Sequence, residues 1–249
     1  MKNIIIKSSV LSAAIVMTIG VGERSHAGVF DQLAAMANGV LPAYGREQAM
    51  SFRPDLPKRQ IDAGIREALV VASDRVVQQV VADSGYSIDG EVRLSSDLRR
   101  VQKTAIKLGH EASFEQLKKQ VNEAVIAVVP VTGKLLKAEV RRVELSEPRG
   151  LLASHETAAT DFLRRKVSVN LHRQLQPLVM DLLRRTGAAS TTATLASEIQ
   201  WGNLLDTVTE NHIIEQSIDG FFDKLEVQEA IIRQDPASRP TKLLQKVFG

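Results

Sequence analysis

Residues 157–186 read TAATDFLRRKVSVNLHRQLQPLVMDLLRRT, and this stretch decides the fold. Leu163, Val167, Leu171, Leu175, Leu178 and Leu182 recur every three or four positions. That spacing draws one apolar stripe along a single helix and leaves the basic residues on its other faces. Pro177 predicts a bend, because it removes a backbone donor and crowds the turn before it. Gly187 then stops the helix.

The same period governs the flanks. Upstream, Ile61, Ile65, Leu69, Ala72, Val76 and Val80 form a stripe from Arg59 onward. Asp83 to Leu94 interrupts it, with Gly85 and Gly90 as turn residues and a short extended piece expected at 91–94. Ser95 or Ser96 can cap the next helix, whose inner face is Leu98, Val101, Ala105 and Leu108, with Gly109 as a left-handed stop. Ser113 opens another, with Phe114, Leu117, Val121, Val125 and Val128 inward. Pro130 is expected to kink or end it, and a further helix runs through Leu135, Ala138 and Val143. Ser146-Glu147-Pro148 reads as a cap with Pro in the first turn of a short helix reaching Leu152.

Downstream, 187–203 begins with small and hydroxyl residues and reads as a mobile connection. A helix over 213–234 carries Ile214, Ile218, Phe221, Phe222 and Leu225, and Asp235-Pro236 ends it. Thr241 starts a last short helix with Leu243, Leu244, Val247 and Phe248. The fold class is therefore all-α: one bundle-like domain of seven to nine helices over 59–249, some kinked at proline. Residues 28–58, with Pro42, Pro54 and Pro57, read as a short helix near Phe30–Met36 and a linker.

The first 27 residues have the pattern of an export signal. Lys2 and Lys7 precede an apolar run from Val10 to Val21, and Ser25-His26-Ala27 offers a cleavage site after Ala27. A retained anchor is the competing reading, but about a dozen apolar residues fall short of the ~20 that span a bilayer. The expectation is a soluble periplasmic protein with no transmembrane segment after cleavage.

Composition excludes several chemistries. The 249 residues contain no cysteine, so disulfides, thiolate metal sites and cysteine nucleophiles are out. Aromatic residues make up 4%, too few for stacking platforms on single-stranded nucleic acid. Removing residues 1–27 takes 32 basic and 29 acidic residues to 29 and 28, a net charge of +1. That near-neutral balance argues against nucleic acid as a partner.

Several segments together resemble a bacterial exported family catalogued as domain of unknown function 4197. They are Gly64-Ile65-Arg66-Glu67-Ala68-Leu69, the stretch Val92 to Gly109, Glu156-Thr157-Ala158-Ala159-Thr160-Asp161-Phe162-Leu163 and Ile218-Asp219-Gly220-Phe221-Phe222. The fullest match is the end, from Ile232-Arg233-Gln234-Asp235-Pro236 through Ser238-Arg239-Pro240 to Gly249. The resemblance covers about 59–249 and implies a helical envelope protein with no activity to carry over. The family is more acidic before its Arg-x-Asp-Pro turn than Leu225-Glu226-Val227-Gln228-Glu229-Ala230 is here, which weakens a metal site at that place.

Candidate site residues are few. Asp161 with Arg164 and Arg165 sits at helical spacing, so it reads either as an anionic-ligand clamp or as an ion pair fixing helix packing. His155, Glu156 and Asp161 come nearest to a metal set, but no two histidines lie one turn apart, and neither metal nor cofactor is expected. No Gly-x-Ser-x-Gly elbow, Ser-x-x-Lys pair or phosphate loop is present. The runs Arg141-Arg142, Arg164-Arg165-Lys166 and Arg184-Arg185 could face anionic headgroups or lipopolysaccharide, or be the solvated backs of helices.

These observations support three readings. The first is a non-enzymatic module binding a lipid or other amphipathic ligand, or an envelope protein, between its helices. The second is a hydrolase-like enzyme that gathers Asp161, Arg164, Arg165, Asp219 and Arg239 into one cleft. A purely structural envelope protein is the third.

Overall fold

A computed structural model describes residues 55–86, 93–202 and 204–249, all within one unit, Glu47–Gly249. The signal segment, the short helix near Phe30–Met36, Gly90 and the first half of the extended piece at 91–94 lie outside the described residues. Among those described there are eight α-helices, one 3-10 turn and no strand.

The helices are α1 (Lys58–Ala82), α2 (Ser96–Lys107), α3 (Glu111–Arg142), α4 (Pro148–Ala153), α5 (Ala158–Arg185), α6 (Ala188–Glu198), α7 (Leu204–Gln234) and α8 (Lys242–Phe248). The four long ones, α1, α3, α5 and α7, form the body; α5 packs most extensively on α7, and α3 touches all three others. The short α8 lies on α1, and α6 fills the space beside α3, α5 and α7.

Local chemistry sets most of the boundaries. Ser95 accepts a hydrogen bond from the Leu98 N–H, and Thr241 does the same for Leu244. Gly109 takes φ +84 after α2, a conformation that costs a Cβ-bearing residue more. The α1 stripe is fully inside: Ile61, Ile65, Leu69, Ala72, Val76 and Val80 are each 1% exposed or less. Two glycines in the quoted segments permit close approach instead. A Cβ on Gly64 would sit 2.6 Å from Val247, and one on Gly220 would meet the Tyr86 ring at 2.7 Å.

Five expectations need correction. Pro130 does not end its helix: α3 runs on for 32 residues, because Val128, Val129, Thr132, Gly133 and Leu136 keep the core-facing register across it while Pro130 faces outward. The stretch 187–203 is not a loose connection but contains α6, held by buried Ala188, Thr192, Leu195, Ala196 and Ile199. The helix placed at 213–234 begins at Leu204. Past Leu175 the buried line of α5 continues through Val179 and Leu183, leaving Leu178 39% exposed and Leu182 at the core's edge. Leu108, read as an inner residue, is exposed at the end of α2.

Candidate functional site

The N-terminus of α5 is the place where an anionic ligand would be sought, since the first turn of a helix offers unpaired N–H groups. Here every one is taken. Ala158 N–H donates to His155 O and Asp161 N–H to Thr157 O. Ala159 and Thr160 N–H both donate to the Glu229 carboxylate, at 3.1 and 2.7 Å. Glu229, from α7, is the anion of this site and part of the protein itself.

Glu229 is itself paired one turn along α7. The Arg233 guanidinium lies 2.7 Å away, and the two side chains are 1–2% exposed. Arg233 also donates to the Leu152 and Leu151 carbonyls at the end of α4. One buried ion pair therefore satisfies the end of α4 and the start of α5 while belonging to α7. Arg239 does related work: it is buried, and its guanidinium donates to the Ile232 and Arg233 carbonyls near the end of α7.

Four carboxylates and one guanidinium gather on the next turns of the α5–α7 seam. Arg164 donates to Asp223 and to Glu226, both at 2.8 Å, and lies 5.2 Å from the centre of the Phe222 ring. Burial raises the Glu226 carboxyl above its usual range; Arg164 counteracts this, and Asp161, Asp223 and Glu229 add to it. Asp161 turns away from both arginines to His155, whose Nε2 is 2.7 Å from its carboxylate. Ser154 Oγ stands 3.1 Å from the other ring nitrogen.

With His155 protonated on Nε2, Ser154, His155 and Asp161 form a hydrogen-bonded chain in the order of a hydrolytic triad. Such a triad needs a free pair of donors for a developing oxyanion. Two backbone donors at the start of α5, Ala159 and Thr160, are held by Glu229, and His155 stands in solvent with its side chain 61% exposed.

Further along the same seam is a groove of about 340 Å³. Ser168, Val169 and His172 of α5 form one wall; Glu215, Ile218 and Asp219 of α7 form the other. Buried Ile218 is its floor, Val169 is 84% exposed at its lip, and Glu215 and Asp219 are exposed carboxylates at its mouth.

The five residues singled out in the sequence are thus distributed. Asp161 and Arg164 lie close together but bind different partners, Asp219 lines the groove, Arg165 points to solvent, and Arg239 is spent on backbone carbonyls. They do not close around one cleft. Asp223, Glu226, Glu229 and Arg233 were missed, although Glu229 carries a signal: it falls in the core-facing register Phe222, Leu225, Glu229, Ile232. Among the described residues no group of three or more His, Asp or Glu is arranged to hold a metal ion, and no helix is long and apolar enough to cross a membrane.

The fold and seam define an all-helical domain with a shallow apolar groove between two of its long helices. The chain belongs to the family described as protein of unknown function (DUF4197), whose model matches residues 55–249. Comparisons with curated proteins and with solved structures find no match.

Proposed function

We propose that this protein is an exported, non-enzymatic binding module of the bacterial envelope, and that its α5–α7 groove takes an amphipathic ligand bearing a positive charge. Export rests on the pattern of residues 1–27. The observation that carries the ligand reading is the groove itself: an aliphatic floor and lip, Ile218 and Val169, beneath two exposed carboxylates, Glu215 and Asp219. An ammonium group would be drawn to the carboxylates while its alkyl chain lay over Ile218 and Val169. A volume of about 340 Å³ suits a headgroup and its first methylenes rather than a whole lipid. The non-enzymatic part of the reading is supported by Glu229, which takes the Ala159 and Thr160 N–H groups that a helix start would otherwise offer a developing charge, and by the exposure of His155.

The test is native mass spectrometry of the protein recovered from the envelope fraction, followed by organic extraction. An amine-bearing amphipath that co-purifies, and is lost when Asp219 is changed to Lys, is the expected result. Recovery of unliganded protein that also fails to take up long-chain alkylammonium probes would overturn it.

A further inference from the structure

Six exposed side chains of α5 fall on one line: Arg165, Val169, Arg173, Gln176, Met180 and Arg184. Successive spacings of three and four residues keep them on one helix face. Nineteen steps of the α-helical rise, from Arg165 to Arg184, make the row about 28 Å long. It contains no acid, and among the described residues none of its three guanidiniums has a carboxylate partner. Arg173 donates only to Asn170 within its own helix. Lys166 flanks the row with its ammonium 5.8 Å from the centre of the Phe162 ring. The acids of α5 are engaged elsewhere, Asp161 with His155 and Asp181 with Arg185.

Single exposed apolar residues are ordinary on protein surfaces. Here two of them, Val169 at 84% and Met180 at 42% exposed, alternate with arginines along a straight line. We propose that this row is the surface by which the protein lies on an anionic phospholipid bilayer. Guanidiniums pair with phosphate in a two-pronged geometry, and each cation near an anionic surface adds to the attraction. Val169 and Met180 stand proud of the helix, where they reach below the headgroups between the arginines. A second copy of the chain would set cations against cations. An acidic protein would match the charges of the row, but the recess beside it, at Val169, carries Glu215 and Asp219, which repel acidic side chains. Across the groove, Glu215 and Asp219 keep α7 off the same surface, so the bilayer meets the outer side of α5. This proposal shares Val169 with the groove but rests on the arginines of the row, which lie outside the groove's lining.

The experiment is co-sedimentation of the full chain with phosphatidylcholine vesicles, with and without phosphatidylglycerol, at low and high salt. Binding that requires phosphatidylglycerol and weakens with salt is expected. One cation at such a surface is worth about fivefold, so Arg165→Gln with Arg173→Gln should lower partitioning about 30-fold. Val169→Asp should also weaken it, and circular-dichroism melting shows whether the variants are folded. If folded wild type and double variant partition equally, or wild type stays in the supernatant with anionic vesicles, the proposal is wrong. The second outcome would apply if an acidic protein were the partner instead.

Discussion

Glu229 and Arg233, 2.7 Å apart and shielded from water, tie three helices together at one point. The carboxylate takes the first N–H groups of α5, the guanidinium takes the last carbonyls of α4, and both belong to α7. Helix ends carry opposite partial charges, so each member of the pair faces the terminus that favours it. The most recognisable residues of the sequence, in the Thr-Ala-Ala-Thr segment and before the Asp-Pro turn, meet at this junction.

Breaking the pair from one side should therefore be severe. Arg233→Leu leaves a buried carboxylate without its counter-ion and strands two carbonyls, which costs about 3–5 kcal/mol. The double change Glu229→Gln with Arg233→Leu should cost less than the two single changes added together. Urea unfolding of the four proteins measures this, and additive losses would show that the residues do not act as a pair.

The close approach at Gly64 gives a second test. Adding one methyl group at Gly64 places it 2.6 Å from Val247, so Gly64→Ala should destabilise by roughly 1–3 kcal/mol. Val247→Ala in the same chain should recover part of that loss, because it removes the two γ carbons and leaves only the Cβ, 2.9 Å from the new methyl group. A melting-temperature series across wild type and the two variants is sufficient, and an unchanged Gly64→Ala midpoint would contradict the packing of α8 on α1.

His212 governs a pH effect. It is 1% exposed, neither ring nitrogen has a hydrogen-bond partner, and burial lowers its pKa to about 4. The unfolded chain takes up this proton near the ordinary histidine value, while the folded chain resists it until about pH 4. Stability is thus fully present above the unfolded value and falls as pH drops through this window, by roughly 3 kcal/mol from this group. His212→Leu should remove that component, so the stability difference between variant and wild type should widen between neutral pH and about pH 4. A constant difference across the range would mean that His212 is solvated.

Much of the helical frame was legible because an apolar stripe is a local signal, as in α1, where every residue of the expected stripe is buried. Pro130 misled for a physical reason. A proline costs one hydrogen bond and some crowding, and a long core-facing register on both sides outweighs that. In α6 the hydroxyl residues Ser190, Thr191, Thr192 and Thr194 hid the helix, although Ala188, Thr192, Leu195 and Ala196 keep a buried register through them. The site was less legible, since Arg164 meets Asp223 and Glu226 from 59 and 62 positions away, and spacing within one helix favoured Asp161 instead. Arg239 was drawn into the candidate site by its charge, although its role is to satisfy carbonyls at the end of α7.

The central claim concerns the groove between α5 and α7. Its most direct test is calorimetric titration of the purified protein with a dodecyltrimethylammonium salt kept below its micelle concentration. Saturable binding at one site, weakened at least about tenfold, or 1.4 kcal/mol, by Glu215→Gln with Asp219→Asn, is the predicted result. Binding of equal strength in wild type and the double variant, or no saturable binding at all, would contradict it.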